Sequence, residues 1–266
     1  MTKTAAVKST AIKTTAQKIY IGLIFLFLYA PILTLILLSF NASRVRTKWD
    51  GFSFKWYVSL FGNREIMQAL WNTLFIAFAA SLAAVVIGTA ACIAVNRMTR
   101  KKRAVVMGIT NIPMLNADIV TGISLMLLFI SFGFKFGLGT ILLSHITFCI
   151  PYVMLCVMPR IRQVDASVYE AAMDLGASPL HAFFKVVFPD ILPGVLSGYL
   201  MAFTMSLDDF IITHFTKGAG VDTLSTKIYT EVKKGIKPEM YALSTIIFLM
   251  VLLLLFLVNR PPKEKN

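Results

Sequence analysis

Charge is what this sequence has least of. Only 15% of its 266 residues are charged, and just 13 are acidic. A soluble chain of this length covers its surface with about a quarter charged residues, so the ordinary globular class is excluded at the outset. Nucleotide chemistry is missing too. There is no G-x-x-x-x-G-K-[ST] run to cradle phosphates, and the loops between apolar runs are too short for an ATPase domain. Three cysteines, Cys92, Cys149 and Cys156, all fall inside apolar runs without C-x-x-C spacing. That excludes a disulfide framework and a cysteine metal site, and reads as small packing residues. No cluster of metal ligands and no nucleophile–base constellation appears. The sequence therefore offers neither a cofactor site nor an active site of its own.

What fills the space is hydrocarbon. Apolar residues make up 57% of the chain. They gather into runs of about 20, the length that crosses a bilayer core at 1.5 Å per residue. The expectation is an all-α polytopic membrane protein with six spans, over about Ile19–Phe40, Ala69–Val95, Ala104–Ser131, Thr140–Met158, Ile191–Thr213 and Tyr241–Val258. The first run follows Lys3, Lys8, Lys13 and Lys18, as a signal peptide would. It is too long for an h-region and lacks a small-residue cleavage site, so it reads as a retained span. One membrane domain over 19–259 follows, with a basic N-terminus (1–18) and a short tail (260–266).

Six spans put both termini on one side, with the loops after spans two and four. That side receives the four N-terminal lysines, Arg97, Arg100, Lys101, Lys102, Arg103, Arg160, Arg162, Lys185, Arg260, Lys263 and Lys265, fifteen of the 26 basic residues. Basic residues in short loops mark the cytoplasmic side. Both termini are therefore expected in the cytoplasm. The 97–103 cluster serves as a topology determinant and a contact for lipid headgroups, and the high net charge calls for no nucleic acid.

One cytoplasmic stretch, E-A-A-M-D-L-G-A-S-P-L-H-A-F-F-K-V-V-F-P from Glu170 to Pro189, is too polar for its surroundings. Helix is favoured from Asp165 to Leu175, with Gly176 placed to stop it in a left-handed cap. Ser178 offers an N-cap oxygen, and Pro179 suits the first position of a second helix. Leu180, Phe183, Phe184, Val187 and Phe188 recur at helical spacing, and Pro189 and Pro193 are expected to close that helix before the next span. Two short helices at a glycine elbow fit either an ordinary surface connector or a docking element.

The spacing of Glu170-Ala171-Ala172, Gly176 and Val186-Val187-Phe188-Pro189 resembles the EAA motif of ABC importer permeases, although Val and Phe stand where the family usually has Ile and Leu. The resemblance implies a type I importer (MetI-like) permease fold in a bacterial inner membrane. It also implies that the 160–190 loop couples to an ATPase subunit through Glu170, Ala171, Ala172, Asp174 and Gly176. Four further segments, K-W-D-G-F (48–52), A-D-I-V-T-G-I-S-L (117–125), S-H-I-T-F-C-I-P (144–151) and S-L-D-D-F (206–210), are similar to the C-type permeases of spermidine/putrescine transporters. Members of that group imply a second, B-type permease, two cytoplasmic ATPases and an extracytoplasmic polyamine-binding protein as partners.

The acids within the spans point to cations without help from the family. Asp118 falls about 21 Å along span three, and Asp208 and Asp209 lie in the outer part of span five. A carboxylate in hydrocarbon costs several kcal/mol, so such residues face a bundle interior or a watery path. No lysine or arginine in the spans can neutralise them, and the pair sits toward a helix C-terminus where the macrodipole disfavours negative charge. Adjacent residues point about 100° apart, so Asp208 and Asp209 cannot serve one spot equally, and the sequence leaves open which faces the path. Ser206 could add a ligand oxygen or bond its own backbone. Trp49 could stack on a cation or anchor at the interface. His145 reads as an interhelical bonding residue, and Pro31, Pro113, Pro151 and Gly122 as candidate kinks. Two rival readings stay open: an ABC permease for ferric iron or an aminophosphonate, and a secondary transporter, for which no internal repeat is found.

Overall fold

The structure is a computed structural model that describes residues 2–45, 47–235 and 237–258, so the expected tail at 260–266, with Arg260, Lys263 and Lys265, lies outside the described residues. Among the described residues twelve α-helices follow one another: α1 Thr2–Ser39, α2 Lys55–Gly62, α3 Arg64–Asn96, α4 Arg100–Leu115, α5 Asp118–Ser131, α6 Leu138–Ile161, α7 Ala166–Asp174, α8 Pro179–Ala182, α9 Phe188–Asp208, α10 Ile211–Thr216, α11 Leu224–Lys234 and α12 Pro238–Val258. No strand occurs among the described residues, and a single antiparallel bridge joins Asn41 to Phe52. Gln17–Ser39, α3, α6 and the continuous Pro179–Asp208 segment are each long and apolar enough to cross a membrane. The α4–α5 pair meets that test only when taken together, and α12 contributes a shorter apolar helix over Pro238–Leu252.

The chain forms two compact units, residues 1–64 with 230–266, and residues 65–229. In the first, α12 packs on α1 and α2. The loop between α1 and α2 is folded around Asn41, whose amide oxygen accepts from the Ser43 and Asp50 backbone N–H groups while its Nδ2 donates to the Lys48 carbonyl. The buried Trp56 indole donates to the Asn41 carbonyl at 2.6 Å, and Phe40 stacks on Phe52 at 5.0 Å and meets Phe54 edge to face at 5.5 Å. Among the described residues of this loop, no buried side-chain N or O is left without a partner, as burial requires.

The second unit is built on α6. Its Phe148, Val153, Met154, Val157 and Ile161 are buried against Ala84, Cys92 and Val95 of α3 and against Ile191, Val195 and Ala202 of α9. Close approach is allowed by glycine: a Cβ on Gly194 would lie 2.7 Å from Arg160 Cγ and 3.1 Å from the Cys156 carbonyl, and one on Gly198 3.3 Å from the Val153 backbone. Gly194 and Gly198 are four apart, the spacing by which small residues let membrane helices touch.

Three expectations need correction. Span three is not one rod, because α4 and α5 meet at 106° across Asn116 and Ala117, which are extended. Pro113 lacks an N–H and its ring crowds the carbonyl four residues back, so the helix stops soon after it. Pro31 and Pro151, by contrast, sit inside unbroken α1 and α6, and Gly122 lies within unbroken α5 facing Phe215. Span five ends early as well: α9 stops at Asp208, Asp209 is extended, and the chain restarts as α10. Finally, Pro189 and Pro193 do not close the second surface helix. A five-residue π-turn, Phe183–Val187, joins α8 to α9, and the Phe188 N–H donates to the Phe183 carbonyl across it. The widened turn takes up the misfit of a proline ring, so the helix runs straight on into the span.

Candidate functional site

At the surface loop between α6 and α9, the sequence grammar holds in detail. Asp165 caps α7 by accepting from the Ser167 N–H at 2.9 Å, and that bond with the Ser167 hydroxyl holds its carboxyl below the ordinary value. At the other end Gly176 adopts φ +87°, a conformation costly for any residue with a Cβ. The Ala177 N–H then reaches the Ala172 carbonyl and the Gly176 N–H the Met173 carbonyl, which closes a Schellman cap. Ser178 caps α8 in turn, with its hydroxyl oxygen accepting from the His181 N–H. Glu170, Ala171, Asp174 and Gly176 are all exposed and Ala172 is half-buried. Ala172 and Gly176 line an open cleft of about 600 Å³ together with His181 and Lys185. Leu175, at the elbow, is 90% exposed, and Leu180 and Phe184 are also bare. The sequence pattern had placed the polar members of this face; the apolar tip at Leu175 was hidden because a C-cap residue looks like any other leucine.

The three acids turn out to be unlike one another. Asp209 is almost fully occupied. Its carboxylate accepts from the Ile212 N–H at 3.2 Å, the Thr213 N–H at 2.8 Å and the Thr213 hydroxyl at 2.8 Å, and lies 3.4 Å from His145 Nε2. It therefore caps the N-terminus of α10, where the dipole favours negative charge, and Asp208, the last residue of α9, is left with the unfavourable place at a helix C-terminus. His145 is buried, with Nδ1 at 2.7 Å from the Ser206 hydroxyl and Nε2 at 2.9 Å from that of Thr213. A neutral ring protonated on Nε2 satisfies the whole chain, from Ser206 through His145 and Thr213 to Asp209. Ser206 is buried and turned onto the imidazole. His145 thus joins α6 to α9 and α10.

Asp208 and Asp118 are both exposed, and neither has a hydrogen-bond or ion-pair partner among the described residues. Asp208 is the last residue of α9. Asp118 opens α5 just beyond the bend, in the first turn, rather than in the middle of a straight span. Its carboxylate is close enough to Tyr152 to act on that hydroxyl electrostatically. Tyr152 and His145 belong to one face of α6, linked by Phe148 through edge-to-face ring contacts at 6.5 and 5.2 Å. They are two turns apart, about 10 Å along the axis. One turn after Asp118, Gly122 packs against Ile211 and Ile212 of α10, just past the Asp208–Asp209 break. Trp49 stands in the first unit, exposed, next to an ion pair of Lys48 with Asp50 at 3.0 Å.

The loop after α10 is fastened to α3. Asn72 Nδ2 donates to the Asp222 carbonyl at 2.9 Å, and the Leu224 N–H to Thr73 Oγ1 at 2.7 Å. Lys217 pairs with the Asp222 carboxylate. Burial works to raise that carboxyl, but the Lys217 bond and charge outweigh it and hold the group below the ordinary value.

Comparison with known proteins gives concordant results. Residues 84–260 match the family of binding-protein-dependent transport system inner membrane components. The putrescine transport system permease protein PotI of Escherichia coli K12 is 41% identical over 230 residues, covering 84% of this chain and 82% of that one. The spermidine/putrescine transport system permease protein PotC of Haemophilus influenzae is 37% identical over 247 residues, covering 93% and 96%. Among solved structures, a chain of a bacterial ABC transporter involved in the import of the acidic polysaccharide alginate superposes with a TM-score of 0.72 over 94% of this chain and 95% of that one, at 16% identity.

Proposed function

This chain belongs to the binding-protein-dependent transport system inner membrane components, a family of multi-pass membrane permeases, and from that membership we propose that it forms one half of the path of an ATP-driven polyamine importer. It is a non-catalytic subunit. A second permease completes the path, two cytoplasmic ATPases supply the work, and an extracytoplasmic polyamine-binding protein delivers the cargo. Both termini lie in the cytoplasm, where the 97–103 basic cluster also sits.

The observation that carries the cargo assignment is the pair of carboxylates, Asp118 and Asp208, both exposed and without a basic partner among the described residues. A polyamine carries two or more ammonium groups on a flexible chain, and each must shed water to enter. Two separated carboxylates offset that desolvation in steps, and neither binds so tightly that the cargo stays. Asp209 serves instead to hold the break that turns Asp208 outward. On the cytoplasmic side, Glu170, Ala171, Ala172, Asp174, Gly176 and the bare Leu175 form the surface on which an ATPase pushes.

The test is reconstitution of the assembled complex in liposomes with its binding protein. ATP-dependent uptake of labelled putrescine or spermidine is expected; uptake of ferric iron or an aminophosphonate instead would overturn the cargo.

A further inference from the structure

Next to Asp208 stands a group of rings that the carboxylate path does not use. Phe210 follows two residues later, no more than about 7 Å along the chain. Its ring centroid lies 4.6 Å from that of Tyr229 on α11 and 5.3 Å from that of His214, one turn along α10. His214 and Tyr229 close the triangle at 6.1 Å. The Asp209 cap fixes the first turn of α10 and with it the positions from which Phe210 and His214 project.

The three rings are also open to solvent in part, within reach of a cargo. Here Phe210 is half-buried, His214 is exposed and Tyr229 is 38% exposed. Exposed rings beside an unpaired carboxylate are the partner set of an alkylammonium ion. The ring quadrupole attracts the cation and its polarised methylene, and attracts more strongly as water is removed; the carboxylate accepts the N–H bonds.

We propose that Phe210, His214 and Tyr229 form, with Asp208, an outer station that receives the leading ammonium group of an alkylammonium cargo before it reaches Asp118. The inference rests on the polyamine reading above and adds aromatic recognition to it. Tyr229 supplies a ring from α11, His214 holds the Phe210 ring by stacking at 28°, and Asp208 supplies the charge.

The experiment uses the assembled complex in liposomes, saturating polyamine-loaded binding protein and labelled putrescine. Tyr229→Leu and Phe210→Leu remove a ring but keep apolar bulk, while Tyr229→Phe keeps the ring. The leucine variants should slow uptake per assembled complex by about three- to tenfold. Tyr229→Phe should stay within about twofold of wild type, and binding-protein-stimulated ATP hydrolysis should change by less than that in all three. Leucine variants that import as fast as wild type overturn the station, as does a Tyr229→Phe variant that falls as far as Tyr229→Leu. A slowing fully explained by lost complex also overturns it, because the rings would then be packing elements. A wild-type complex that imports no polyamine overturns the transport reading itself, and this inference with it.

Discussion

Two adjacent aspartates with opposite duties are the most instructive residues in the chain. Asp209 has two backbone N–H groups, a hydroxyl and an imidazole around it, and Asp208 has none of these. The difference comes from one residue of extended backbone: at φ −63° and ψ 127°, Asp209 leaves the helix and turns its carboxylate onto the start of α10. Loss of an N-cap costs about 0.5–2 kcal/mol. Asp209→Ala should therefore lower the thermal unfolding midpoint of the purified complex, and Asp208→Ala should leave it near wild type. Equal midpoints for the two variants would contradict the division of labour. Sequence alone could not separate the pair, because hydropathy registers two identical charges and is silent about which one caps. His145 was legible as an interhelical residue, but its partners, Ser206 and Thr213, come from elements far along the chain.

Elements show the same division between what pattern reveals and what it hides. Helix existence followed from apolar run length, and the α7–α8 elbow followed from residues whose effects are local: Asp165, Gly176, Ser178 and Pro179. The bend at Asn116–Ala117 and the restart at Asp209 fall inside stretches long enough to read as single spans, and the π-turn at Phe183–Val187 precedes two prolines that read as a stop. Gly194 and Gly198 were readable in principle by their spacing. Placing a side chain at Gly194 drives it into Arg160 and the Cys156 carbonyl, so Gly194→Leu should destabilise the α6–α9 pair by roughly 1–3 kcal/mol, read as a fall in assembled complex and in its unfolding temperature. An unchanged complex would mean that the two helices do not meet there. At the elbow, Gly176→Val strains a φ of +87° and Glu170→Ala removes an exposed anchor. Both should leave the membrane core folded yet weaken the stimulation of ATP hydrolysis by the loaded binding protein together with uptake. Full stimulation and full uptake in both variants would remove the loop from the coupling route.

For the whole molecule, the fold by itself does not choose the cargo. A chain of similar fold belongs to a transporter of the acidic polysaccharide alginate, whereas these spans carry free acids. Cargo charge must then be set by side chains along the path rather than by the arrangement of helices. Orientation is open to a direct check as well. A cysteine placed at Lys101 should resist a membrane-impermeant thiol reagent in intact cells, and one placed at Lys233 should react; the reverse pattern would invert the topology. The most direct test of the central claim is uptake of labelled polyamine, measured per assembled complex, for Asp118→Asn and Asp208→Asn. Each substitution keeps shape and hydrogen-bonding capacity and removes only the charge. The account predicts that both variants assemble normally and import at least about tenfold more slowly than wild type, the loss expected when an ammonium group gives up water without a counter-charge. Wild-type uptake in both would show that the acids are structural and that the cation path lies elsewhere.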